Sequence, residues 1–100
     1  MLKISVVEAR NQRRLLVEGR LIAPWSAELI NACDEARDGL DSRELLVELV
    51  NLTAINQEGE NALIALMNKG VKFRGSGVFT KQVLRHLARR ARKPFQELER

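Results

Sequence analysis

One hundred residues, 45% hydrophobic and 30% charged, suit one domain with a single modest core and are too few for two. No apolar run approaches the roughly 20 residues of a membrane-crossing helix, and "MLKISVVEAR" turns polar too early for a secretory leader. The net charge is +4, and the single Cys33 has no partner for an internal disulfide, which points to a reducing, cytoplasmic setting.

The first strand is "LKISVVE", where Leu2, Ile4 and Val6 alternate with Lys3, Ser5 and Val7 in the period-two pattern of a half-buried strand. "RNQRR" (10–14) reads as a polar turn, and "LLVEG" as a second strand that stops at Gly19, giving an antiparallel hairpin. "APWSAELINACDEARDGL" is the first helix. Pro24 suits its first turn, Trp25, Leu29, Ala32, Cys33, Ala36 and Leu40 form an apolar stripe, and Gly39 fits the C-terminal cap. "ELLVELV" (44–50) is a nearly unbroken apolar run, as in a central strand covered on both faces. "QEGENALIALMNKG" is the second helix, with Ala62, Leu63, Leu66 and Met67 inward, and "VKFRGSG" is a short strand with Val71 and Phe73 inward. "FTKQVLRHLARRARK" is the third helix, with Thr80 as its cap and Phe79 stapled onto Leu84. Its buried stripe is Val83, Leu84, Leu87, Ala88 and Ala91. Pro94 ends it, so residues 1–93 form the domain and 94–100 a frayed tail. The order β-β-α-β-α-β-α predicts an α/β fold, a mixed four-stranded sheet with three main helices.

Charge is unevenly spread. Residues 1–60 carry 7 basic and 11 acidic side chains, whereas residues 61–100 carry 10 basic and 2 acidic. Lys81, Arg85, Arg89, Arg90, Arg92 and Lys93 surround the stripe of the third helix. They are either a solvated face favoured by the helix dipole or a contact face for an acidic partner, a phosphate or a lipid headgroup, with Lys81, Arg85, Arg89 and Arg92 as its candidates. Nucleic-acid binding has little support, since helix-turn-helix spacing and stacking aromatics are missing. His86 has no partner Ser or second Cys, Cys33 lies on an apolar stripe, no Cys/His spacing suggests a metal, and "GSG" (75–77) is too short for a phosphate loop. No enzyme, cofactor or metal is expected.

"RLLVEGRLIAPWSAELINAC" and "LLVELVNLTAINQEGENALIALM" resemble, in this order, the two characteristic segments of the STAS domain (the sulphate transporter and anti-sigma-factor antagonist domain), and the resemblance covers about residues 2–90. The second segment is similar to the family pattern V-D-L-S-x-V-x-x-I-D-S-S-G. On that pattern Glu48 stands for the strand Asp, Asn56 for the Asp before the phosphorylation site, Gln57 for the residue before the acceptor, Glu58 for the acceptor Ser, and Gly59 for the following Gly. The resemblance implies a bacterial STAS-like fold and a non-enzymatic regulatory module in signal transduction and transcription regulation. Family antagonists bind an anti-sigma factor that is also a kinase, and phosphorylation of that Ser breaks the complex. Here the turn is present without the hydroxyl, so Glu58 is either a permanent stand-in for the phosphate or a first-turn residue favoured by the dipole. Thr53 is the one nearby hydroxyl, but it precedes the turn.

The expected contact surface comprises Asn56, Gln57, Glu58, Gly59, Glu60, Asn61 and Ile64. The expected partner is a kinase-type anti-sigma factor or another signalling protein, and a homodimer is allowed. The alternative is a constitutive STAS subunit of a membrane lipid- or anion-transport assembly, which needs no phosphorylatable residue.

Overall fold

Arg10 and Asn11 turn the chain between its first two strands, β1 (Leu2–Glu8) and β2 (Gln12–Leu21). These pair antiparallel, with Leu2 opposite Gly19 and Glu8 opposite Arg13. The computed structural model describes residues 1–91, and in it α1 (Trp25–Ala36), β3 (Glu44–Ile55), α2 (Gln57–Asn68), β4 (Lys72–Gly75) and α3 (Val78–Arg90) follow. The sheet order is β1-β2-β3-β4, with the β2–β3 and β3–β4 pairs parallel. This is the mixed four-stranded sheet with three helices that the sequence predicts. The expected tail and Arg92 lie outside the described residues.

Paired residues share a face of the sheet. Leu15 and Val17 of β2 point the same way as their partners Val47 and Leu49 of β3, and all four are fully buried. They form one core with Leu29 and Cys33 of α1, Leu63 and Leu66 of α2, and Leu87 of α3. Each fully buried Leu contributes roughly 1.5–3 kcal/mol relative to leaving it in water. The helices lie across the sheet in chain order. α1 packs on β1 and β2, α3 on β4 and β3, and α2 between them.

Several local expectations are corrected. Among the described residues, helices cover β3 on one face only. Right-handed crossovers that step in one direction across a sheet, from β2 to β3 to β4, put their helices on the same side. The other row of β3, Leu46, Glu48 and Val50, faces away from the core.

β2 starts at Gln12 rather than Leu15 and runs past Gly19 to Leu21, while β3 runs on to Ile55, through two irregularities in their pairing. Arg13 lies inside β2, where its half-buried guanidinium is engaged. Nη1 donates to the carbonyls of Ala36 (2.6 Å) and Asp38 (2.9 Å), closing the C-terminal end of α1, and Nε bonds to Glu8. The Ala36 carbonyl is one of those that a helix end leaves without an intrahelical donor, and Asp38 lies in the turn that follows. α1 stops at Ala36, with Arg37 rather than Gly39 at its C-terminal cap.

Val6 is 57% exposed although its alternation points it inward, because β1 is an edge strand that α1 covers only in part. Finally, Gly77 rather than Thr80 occupies the N-cap of α3, and no side chain caps it. Thr80 is buried in the first turn, packed so closely on β4 that a Cβ at Gly75 would overlap its Cγ2. Phe79 is 50% exposed and lies inside the first turn of α3 rather than before its cap, so it does not hold the staple position.

Candidate functional site

The extra length of β3 carries the chain beyond the end of β4 before α2 begins. Asn56 then leaves the strand with extended backbone (φ −120°, ψ −173°) and caps α2. Its Oδ1 accepts from the Gly59 N–H at 3.0 Å, and its carbonyl accepts from the Glu60 N–H at 2.9 Å. This satisfies one of the N–H groups that a helix start leaves free, an interaction typically worth about 1 kcal/mol. Gln57 Nε2 donates to Asn61 Oδ1 at 3.1 Å, along the outer face of the helix.

Gly59 is buried beneath this turn. A Cβ there would overlap the Leu21 carbonyl oxygen and crowd Ile55 Cγ1 at 2.9 Å, so only glycine lets α2 start this close to the end of β2. Glu58 points outward. It is exposed and makes no hydrogen bond or ion pair among the described residues. The amide dipoles of the first turn favour its negative charge. Glu60, in the same first turn, is half-buried and pairs with Arg90 of α3 at 3.3 Å. Ile64 is half-buried against the core. Of the seven residues expected at this surface, Asn56, Gln57, Glu58 and Asn61 are therefore exposed, Glu60 and Ile64 lie at its margin, and Gly59 sits behind it.

The basic helix divides similarly. Lys81, Arg85 and Arg89 are exposed and unpaired among the described residues, whereas Arg90 is tied to Glu60. His86 is exposed on the same helix.

Glu48 is the residue whose surroundings the sequence conceals. It lies on the sheet face away from the helices and is held from both sides. Arg74 Nη2 and Nε reach its Oε2 at 2.8 and 3.0 Å, and Arg14 Nη1 reaches its Oε1 at 3.3 Å. A lone carboxylate in an apolar strand was the available signal, but its partners come from strands on either side. Arg14 Nε is buried and has no hydrogen-bond partner among the described residues. The array therefore fixes β2, β3 and β4 to one another without being fully satisfied.

Burial pushes the Cys33 thiol up to about 11, so it stays protonated and unreactive near neutral pH. Among the described residues no group of three His, Cys, Asp or Glu side chains could hold a metal ion, and no helix is long and apolar enough to cross a membrane.

No protein-family model matches the chain, and no curated protein matches it. The likeness is to solved structures. One is an uncharacterised protein of the DUF3478 family from Shewanella loihica PV-4, described as having a SpoIIAA-like fold. It is 13% identical over 91% of this chain and 80% of its own, with a TM-score of 0.58. Another, named Mglu, is 17% identical over 74% of this chain but only 19% of its own length, with a TM-score of 0.57. The fold is thus SpoIIAA-like, that is, STAS-like, as the sequence resemblance implied. At these identities the likeness defines the fold and leaves activity open.

Proposed function

We propose that the chain is a non-enzymatic interaction module resembling an anti-sigma-factor antagonist, which presents the Asn56–Glu58 turn and the outer face of α2 to a protein partner. The observation that carries this reading is Glu58, an exposed, unpaired carboxylate at a capped helix start, on the position where the STAS pattern has its phosphorylated Ser. A phosphoserine brings about −1.5 to −2 charges and three acceptor oxygens, whereas Glu brings one charge and two oxygens. The turn therefore carries a fixed negative charge that no kinase adds and no phosphatase removes. It holds the module in something close to the modified state, released from a kinase-type anti-sigma factor and with the turn free to meet another signalling protein of a bacterial cytoplasm.

The test is affinity capture from native lysate with wild type, Glu58→Ser and Glu58→Arg. Capture of a kinase-like protein by the Ser variant alone supports the fixed mimic. Identical capture by all three removes the turn from the contact surface. A second reading, a constitutive subunit of a membrane lipid- or anion-transport assembly, is favoured by the same missing hydroxyl together with the unpaired cations of α3. Co-purification of transport subunits whose binding is lost on Arg85→Glu would select it.

A further inference from the structure

The helices beside the two edges of the sheet carry unpaired side chains of opposite charge, among the described residues, and each edge has an apolar groove. At the β1 edge, a groove of about 330 Å³ lies between the strand and α1, lined by Val6, Leu15, Ala32 and Ala36, with Glu35 and the ion-paired Glu8 and Arg13 on its wall. Glu28 stands seven residues before Glu35, on the same side of α1. Both carboxylates are exposed and unpaired among the described residues. At the β4 edge, a groove of about 410 Å³ is lined by Val71, Phe73, Leu84 and Ala88, with Lys72 at its rim. Lys81 stands three residues before Leu84 and seven before Ala88, and Arg85 follows it by one turn. Both are exposed and unpaired among the described residues. Among the described residues β1 and β4 each pair with one strand, so both edges also offer backbone groups that no strand there pairs.

We infer that the β1–α1 edge of one copy docks on the β4–α3 edge of a second copy, giving head-to-tail self-association. Pairing like edges would set Glu28 and Glu35 against their own copies, or Lys81 and Arg85 against theirs, and like charges so placed repel. Joining unlike edges instead sets carboxylates against cations and brings the exposed Val6 to an apolar groove. Such a contact is heterologous, so it does not close on itself at two copies, and each added copy presents a fresh edge. The inference is independent of the reading of the α2 turn, which lies at the strand ends and not at the edges.

The experiment is sedimentation velocity of the full chain over a range of concentrations, at low and high salt. The weight-average mass should rise with concentration past that of a dimer and fall back towards the monomer at high salt, where exposed charges are screened. Lys81→Glu/Arg85→Glu and Glu28→Lys/Glu35→Lys should each be monomeric at low salt, with unchanged circular dichroism and Tm because all four positions are exposed. An equimolar mixture of the two variants, one acidic at both edges and the other basic at both, should associate again. Any of four results would overturn the inference: monomer mass throughout, a plateau at the dimer, association indifferent to both reversals, or a mixture that stays monomeric.

Discussion

α2 and α3 both begin just beyond the C-terminal ends of parallel strands, yet the two entrances are built oppositely. α2 starts with a capping Asn56, two acidic residues in its first turn and a buried glycine against the neighbouring strand. α3 starts from Gly77 without a side-chain cap, has no acid in its first turn, and leaves Val78 75% and Phe79 50% exposed. The first entrance is held by polar bonds and close backbone packing. The second is held by Thr80 packing onto β4. A shared topology therefore fixes where a helix starts but leaves open what holds it there, and the α2 entrance is the one organised to present charge.

Gly59→Ala probes that difference most severely. Its Cβ meets the backbone of Leu21, which cannot swing aside, so a loss of about 1–3 kcal/mol is expected in chemical denaturation. Gly75→Ala at the other entrance should cost less, because its Cβ meets the side chains of Thr80 and Leu84. Equal losses would mean that the two entrances are packed alike. Asn56→Ala should cost about 1 kcal/mol, the typical value of a side-chain cap, and Asn56→Asp should recover most of it. Val78→Glu should do the reverse at α3 and add about 0.3–1 kcal/mol by placing a carboxylate in an unoccupied first turn. If that gain is absent, the polarity of the helix start is not what separates the two.

The smallest effect is expected at the far end of the sheet, where charge is likewise organised. The Arg13 hydrogen bond, and then Arg43, hold the Glu8 carboxyl below its ordinary value. A carboxyl depressed in the folded state adds stability above its unfolded pKa and loses it as pH falls through its folded pKa. Melts of wild type and Glu8→Gln should therefore differ slightly at neutral pH and converge in acid. A constant difference across that range would separate Glu8 from the acid response.

The order of elements was legible because each run of apolar residues is set off by Gly, Pro or polar residues. The ends of the strands were less so. Gln12–Arg14 read as a turn because the apolar pattern starts only at Leu15, and what draws Arg13 into β2 is the carbonyl end of α1, more than twenty residues away. Irregular pairing beyond Val17 breaks the period-two signal along β2 and β3. Thr80 matched the rule for a cap, but a hydroxyl residue three positions into a helix is equally suited to packing beneath it. At the α2 turn the cap and the outward Glu58 follow from local sequence. The burial of Gly59 and the engagement of Glu60 by Arg90 depend on β2 and α3, which no local pattern specifies.

The strand order β1-β2-β3-β4 is also the order of synthesis. The amino-terminal hairpin needs nothing made after it, and each later strand finds its neighbour already in place. The chain can thus be assembled from one side as it leaves the ribosome, without reserving a gap for a strand still to come. Until β4 arrives, the exposed flank during translation is that of β3, the longest apolar strand of the sheet.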